Sequence, residues 1–481
     1  MTSDLIKKSS NKPTLFISVS LGWAIRNFFQ TGIIDSLKSH FEIIVIATPK
    51  AKRSLCKLVF NHGIKIEEVD VGEEPLSWKL FRQLKKKIYM EGRESTTEAI
   101  WEKYFPRPIY QRIGGKIIKT LVCLFNPQRL YYFFDRLDLR INKDKRLADL
   151  FRKYKPVIYF ATHATSYFEE CLLRNAICAN VPAVFMILSW DHLSSKILLN
   201  QNLHSILVWN NHTKQEILQT YPHYHSDQIK IVGIPQYDLY ALKPTITYAE
   251  WCRKYGLDPD RRTILFSTMP QSRHEQQHFI LEELLKTIVE GKKLPADLQV
   301  LIKCHPFDNF KDYDLLLNNY PVGIYRNSFD MTQTQEDWVP SQTEIEVSRD
   351  ALYFCSLNIN IFSTVTIEAA YFDKPVVHIA FDPQPVKNRI PCHEYYNWDH
   401  FKPIVDTGAT ILVRNYEEMF YAINRLITEP EILSTQRKVL VDKYVGRKIG
   451  TASEAVSYEL VEINNRLITN IQTSIDRSKY N

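Results

Sequence analysis

The chain has 481 residues, 45% of them hydrophobic and 24% charged, with a formal net charge of +7. That length exceeds what one hydrophobic core organises, so two or more domains are expected, and the composition excludes a disordered or low-complexity chain. The charge comes without a helix-turn-helix, RRM or zinc-finger signature, so no nucleic-acid partner is expected.

The eight cysteines are scattered without a CxxC pair, which argues for reduced thiols in a cytoplasmic protein rather than zinc ligands or a disulfide framework. The N-terminal dozen residues are polar and lysine-bearing, so no secretory signal is expected. No run approaches the roughly 20 apolar residues of a membrane span.

In chain order, β-rich runs alternate with helical patterns, as stacked βαβ units do. Strands are predicted at Leu15–Ser20 and Phe41–Ala47, with SLGWAIRN between them. From Trp78 to Lys155 the chain is helical and carries much of the basic excess, in runs such as FRQLKKKIY and RLYYFFDRLDLRINKDKR. Basic residues interleaved with Phe, Tyr, Leu and Ile suit a helix lying on an anionic bilayer surface. They suit equally a solvated helix face with its aromatic residues turned inward. Strands follow at Val157–Ala161, Ala183–Leu188, Ser205–Trp209 and Ile229–Val232.

Gly233, Pro235 and the linker-like Leu242-Lys243-Pro244 mark a boundary. A second set of strands is predicted at Thr263–Thr268, Leu298–Cys304, Gly323–Arg326, Leu357–Phe362 and Pro375–Ile379, and long helices close the chain. The expected organisation is an N-terminal Rossmann-like domain over 12–242 with a basic helical insertion over about 78–155, a second over 243–440, and C-terminal helices over 441–481 packing back on both. The fold class is therefore α/β, two doubly wound parallel sheets facing a cleft, and ligands in such sheets bind beyond the carboxyl ends of the strands.

Two segments of the second half carry chemistry. In LNINIFSTVTIEAAYFDKP a buried strand runs into Ser363, Thr364 and Thr366, hydroxyl residues at a helix start, with Glu368 one position into the helix. Free N–H groups at such a start bind anions, although plain N-capping uses the same residues. In LIKCHP an apolar strand ends in Lys303 and His305, with Pro306 breaking it. An imidazole there donates well to a phosphate oxygen.

KCHP together with STVTIEAAYFDKP resembles the donor half of GT-B transferases. The likeness is to the bacterial group of CDP-glycerol glycerophosphotransferases, polysialyltransferases and capsule Kdo transferases. It implies that His305, Ser363, Thr364 and Thr366 contact donor phosphates and that Glu368 meets the donor ribose. Lys303, at the same strand end, is placed to stabilise the leaving phosphate, and Arg273, in the loop MPQSRHEQQ after TILFST, suits either a phosphate or solvent. In the first half, Ser189–Lys196 (SWDHLSSK) resembles the SWDNLTSK phrase of surface-glycan transferases, departing from it at His192 and Ser194. It makes Asp191 the candidate base, His192 the second choice and Lys196 a phosphate or acceptor clamp. GT-B enzymes place an acceptor-side loop where Arg26 and Asn27 fall, and HEYYNWDHFKPIVDTG resembles a loop near the site, adding His400. The paired glutamates of the retaining families are missing, so an inverting reaction is expected, with no metal and no cofactor beyond the nucleotide-activated donor.

The resemblance thus implies a glycosyltransferase of capsule or cell-envelope polysaccharide synthesis, moving a sugar from a nucleotide-sugar to a glycan or lipid-linked acceptor. It would act in the cytoplasm or peripherally on the inner face of the plasma membrane. Three alternatives stay open: a polyol-phosphate transferase of the CDP-glycerol type, a UDP-sugar 2-epimerase-like enzyme, and a membrane-associated binding protein that kept the fold.

Overall fold

The computed structural model describes residues 12–479 apart from 60–62, 92–94, 142–143, 163–165, 191–192, 194–196, 201, 309–310, 321, 327–338 and 340. Among the described residues, thirteen strands form two sheets in which every pairing is parallel. The first holds β1 (Thr14–Val19), β2 (Glu42–Ala47), β3 (Lys65–Glu68), β4 (Ile158–Ala161), β5 (Ala183–Met186), β6 (Ser205–Val208) and β7 (Ile229–Ile231), in the order β3-β2-β1-β4-β5-β6-β7. The second holds β8 (Arg262–Ser267), β9 (Leu298–Lys303), β10 (Val322–Tyr325), β11 (Leu357–Asn360), β12 (Val376–Ile379) and β13 (Ile411–Val413), in the order β10-β9-β8-β11-β12-β13. Both orders reverse beside the first strand of the sheet, so each sheet is doubly wound and has one crevice at its switch point.

The central strands are mostly apolar and are buried along nearly their whole length, as strands covered on both faces are. Two strands were not expected from the sequence, β3 (KIEE) and β13 (ILV). Both are short edge strands with partly exposed residues; KIEE carries no apolar run, and ILV is only three residues long.

Between β3 and β4 the chain forms five helices, Leu76–Glu91, Thr96–Tyr104, Ile109–Leu124, Pro127–Ile141 and Lys145–Tyr154. They are moored by buried charge. Lys85 pairs with Asp135, Arg174 pairs with Asp138 at 3.0 Å, and the Arg174 guanidinium lies 4.0 Å from the Trp78 ring centroid. No helix among the described residues is long and apolar enough to cross a membrane.

The chain finally returns to its first half. Asn210 donates to the Tyr444 carbonyl at 2.6 Å, and the C-terminal helix Ala452–Lys479 packs on the helix Ile33–Lys38. The Asp238 carboxylate accepts from the backbone N–H groups of Gly450, Ala452 and Ser453.

Candidate active site

Strand register sets the floor of the site. Tyr325, Lys303, Ser267 and Asn360 are mutual partners across β10-β9-β8-β11, so these strands end at one level. A cavity of about 370 Å³ opens beyond them, lined from the first half by Arg26, Trp190, Gln236, Tyr237 and Tyr240 and from the second by Thr268, Lys303, His305, Ser363, Thr364, Glu368 and His400.

Lys303 is the last residue of β9, and burial of its ammonium lowers its pKa while Glu368 opposes the shift. His305 follows, its backbone N–H donating to the Thr268 hydroxyl at 2.8 Å. Its Nδ1 accepts from the Phe307 backbone N–H at 3.1 Å, which leaves the proton of the neutral ring on Nε2. Burial, reinforced by Lys303, pushes the His305 pKa down to about 4, so at neutral pH the ring is uncharged and its Nε2–H is a donor.

Glu368 lies in the first turn of the helix Val365–Tyr371. Its carboxylate accepts from the Tyr240 hydroxyl at 2.6 Å and the Tyr237 hydroxyl at 3.4 Å, both from the 3-10 turn after β7. Arg26, on the helix Gly22–Phe29, donates to Gln236; burial lowers its pKa against the pull of Tyr240 and Glu368. Two cations and the carboxylates of Glu368 and Glu344 thus line a partly desolvated cleft, in which Arg26 and Lys303 are the groups able to meet an anion.

The strand-to-helix turn is itself strained. Phe362 has φ 45°, the left-handed region that a bulky side chain rarely adopts. Its N–H donates to the Tyr396 hydroxyl at 3.2 Å, and its ring packs among Tyr395, Trp398, His400 and Phe401. This bend delivers Ser363 and Thr364 to the cavity.

The sequence-derived candidates divide. Arg26, Lys303, His305, Ser363, Thr364, Glu368 and His400 come together around the cavity. Thr366 does not: it is fully buried, and its hydroxyl lies 2.8 Å from His378 Nε2 and accepts from Asn360 at 3.2 Å, beneath the helix rather than in front of it. Arg273 is exposed and stacks 5.7 Å from the Trp398 centroid, outside the cavity lining. Asn27 is buried away from the cavity, on the face of its helix turned into the core. Asp191, His192 and Lys196 lie outside the described residues; of their neighbours, Trp190 lines the cavity and Leu193 is buried.

Tyr237, Tyr240 and Gln236 were missed, because GIPQYDLY reads as a domain boundary. Two tyrosines three apart directly after a strand were the available signal. The His400 loop is also held from outside its own half: Asp399 accepts from Ser95 Oγ at 2.7 Å and from Thr96 N–H at 3.0 Å, and Glu394 accepts from Lys103 Nζ at 2.6 Å.

Two doubly wound sheets with a cleft between them define a GT-B-type fold. The chain belongs to the CDP-Glycerol:Poly(glycerophosphate) glycerophosphotransferase family, whose profile matches residues 189–462, more than half of the sequence. No curated protein matches it. Among solved structures it is similar to UDP-GlcNAc 2-epimerase from Neisseria meningitidis bound to UDP-GlcNAc, at 14% identity and TM-score 0.53 over 94% of this chain and 100% of that one. It is similar as well to a UDP-N-acetylglucosamine 2-epimerase, at 12% identity and TM-score 0.52 over 94% and 95%, and to S. aureus MnaA with UDP, at 12% and 0.51 over 93% and 97%. These likenesses show the shared two-domain fold.

Proposed function

We propose that the chain transfers a polyol phosphate from a CDP-activated donor to a hydroxyl of a growing cell-surface polymer or its lipid-linked primer. The observation that carries this reading is the pair of buried cations at the cavity, Arg26 and Lys303, beside the His305 Nε2–H donor and the hydroxyls of Ser363 and Thr364. Family membership favours a phosphoryl transfer over the sugar transfer expected from the sequence.

In this reaction the acceptor oxygen attacks the phosphorus bearing the polyol, and the bond from that phosphorus to the bridging oxygen of CMP breaks. Charge developing on the departing phosphate is stabilised by Lys303, Arg26 and His305. Ser363 and Thr364 hold the phosphate oxygens, and Glu368 meets the ribose. The acceptor proton passes to a base, for which Asp191 is the candidate and His192 the second. Lys196 clamps the acceptor side.

The test has two parts. A ligand at about a hundredfold its Kd adds about 2.7 kcal/mol to the folded state, so CDP and CDP-polyols should raise the unfolding temperature of wild type. The shift should vanish in His305→Ala and Glu368→Ala. Turnover must then release CMP, which marks cleavage at the phosphorus. Release of a nucleoside diphosphate instead marks sugar transfer and overturns the polyol-phosphate reading.

A further inference from the structure

The cavity continues past the residues assigned to phosphate and ribose into a lobe that the transfer reaction leaves unused. Its walls are Tyr325, the last residue of β10, and Glu344, Ile345 and Ser348 of the helix Gln342–Phe354. Register places Tyr325 directly beside Lys303. The helix packs both on the 3-10 turn that carries Tyr240 and on the helix that carries Glu368. Ser348 stands beside the Tyr240 hydroxyl, which in turn donates to Glu368 at 2.6 Å.

Two polar groups of this lobe are fixed in place by the protein itself. Glu344 is the third residue of its helix and closes a capping box. Its carboxylate accepts from the Ser341 N–H at 2.7 Å, and the Ser341 hydroxyl accepts from the Glu344 N–H at 3.2 Å. With one oxygen tied to the backbone, the carboxylate has little rotamer freedom left to lose on binding. Tyr325 packs its ring against Tyr255, with centroids 6.3 Å apart. Its hydroxyl is buried and has no hydrogen-bond partner among the described residues. Burial raises the Tyr325 pKa and the Glu344 charge raises it further, so the two groups lie within electrostatic reach of each other without bonding. A buried donor of this kind is costly unless something supplies its acceptor.

The chemistry of the pair selects the edge of a ligand. A carboxylate only accepts, and the phenol of Tyr325, which burial keeps protonated, has a proton to give. The complementary edge carries a donor next to an acceptor. Cytosine presents that pattern, its amino group beside ring N3, whereas uracil presents the reverse, O4 beside N3–H. A uracil O4 in the same place would set its lone pairs against the Glu344 carboxylate. Ile345, itself buried, supplies an apolar wall for the ring.

We propose that Glu344 and Tyr325 determine the specificity for the donor base: Glu344 accepts from the cytosine amino group and Tyr325 donates to ring N3, so that a cytidine nucleotide is taken and a uridine nucleotide refused. The inference rests on the reading of Glu368 as the ribose contact, because a base bonded to that ribose and directed away from the phosphates meets this lobe.

The full chain is titrated calorimetrically with CDP and with UDP at neutral pH. Wild type should bind CDP at least about tenfold tighter than UDP, the discrimination of one well-placed pair of base-edge contacts. Glu344→Gln keeps the capping box, which glutamine also closes, and offers an amide able to donate to O4. It should lose about tenfold in CDP affinity and gain in UDP affinity, so that the ratio falls to about one or inverts. Tyr325→Phe should keep the wild-type unfolding temperature, since its hydroxyl has no partner to lose, and should narrow the ratio by weakening CDP alone. A merely structural defect would weaken both nucleotides alike and leave the ratio where it was. Wild type that binds CDP and UDP equally, or a Glu344→Gln variant that keeps the wild-type ratio, overturns the proposal and leaves the transferase reading standing. Wild type that binds neither nucleotide overturns that reading and the proposal together.

Discussion

At the cavity floor Arg26 and Lys303 share one carboxylate, Glu368, which is also occupied by two tyrosine hydroxyls. Burial disfavours both cations, and Arg26 lowers the Lys303 pKa further, so removing the Lys303 charge relieves a desolvation cost. Lys303→Met removes one charge and keeps the aliphatic stem. The expected outcome is a folded state about 1 kcal/mol more stable, or about 2–4 °C in unfolding temperature, together with about a tenfold to hundredfold loss of affinity for a nucleotide diphosphate. Calorimetry with and without CDP checks both; a less stable variant would mean that Lys303 serves chiefly as the ion-pair partner of Glu368. Lys303 and His305 were legible in the sequence because a strand end followed by proline leaves side chains little freedom of direction. Thr366 was not legible, since a threonine at a helix start is equally able to face a ligand or turn beneath the helix. Arg273 sits in a loop whose course depends on Trp398, more than a hundred residues away, which nothing local encodes.

The helix Val365–Tyr371 is short, and its placement comes from the polar ladder below it rather than from its own length. Asn358 donates to Ser267 at 3.0 Å and Asn360 donates to Asn358 at 2.7 Å. Thr366 then links Asn360 to His378, whose Nδ1 is 3.2 Å from the Thr410 hydroxyl. Burial pushes the His378 pKa from its ordinary 6.5 down to about 3. The native ring therefore stays neutral where the unfolded chain takes up a proton, so acid favours unfolding. This contribution is intact above pH 6.5 and is lost as pH falls from there toward about 3. His378→Gln should lower stability at neutral pH by about 1–2 kcal/mol and flatten the decline between pH 6 and 4 by about 1.4 kcal/mol per pH unit. Denaturant titrations across that range test it, and parallel curves for the two proteins would contradict a neutral native ring. The alternating asparagines of LNIN were visible as polar positions inside an apolar strand, but their connection to His378 requires the β11–β12 pairing. Most strands were legible because burial on both faces demands continuous apolar runs. β3 and β13 escaped because an edge strand is under no such demand.

Across the whole molecule, the chain passes from the first sheet to the second after β7 and returns after Tyr444, so the halves are joined at two neighbouring crossings. The return passes very close to the end of β6. Gly446 has φ 74°, and a Cβ there would sit 2.6 Å from Asn210 Cα and closer still to the Trp209 carbonyl. Gly256 has a similar φ of 68° with nothing within 4 Å of its Cβ direction, so it isolates the backbone cost alone. Gly256→Ala should cost about 1 kcal/mol, the ordinary penalty of a left-handed alanine. Gly446→Ala must in addition push the return crossing off the Trp209–Asn210 backbone, and should cost about 3 kcal/mol or more. Because the clash lies between the halves and leaves both sheets intact, calorimetry should show the variant's unfolding split toward two transitions, with new protease cleavage near 445–452. Equal costs at the two glycines would mean that the return crossing has slack and that the C-terminal helix is held by Asp238 and the Ile33–Lys38 contact instead. The same crossing bears on catalysis, since Trp209 and Tyr237 line the cavity beside it. A loosened return should therefore weaken donor binding without any change in the residues that touch the donor.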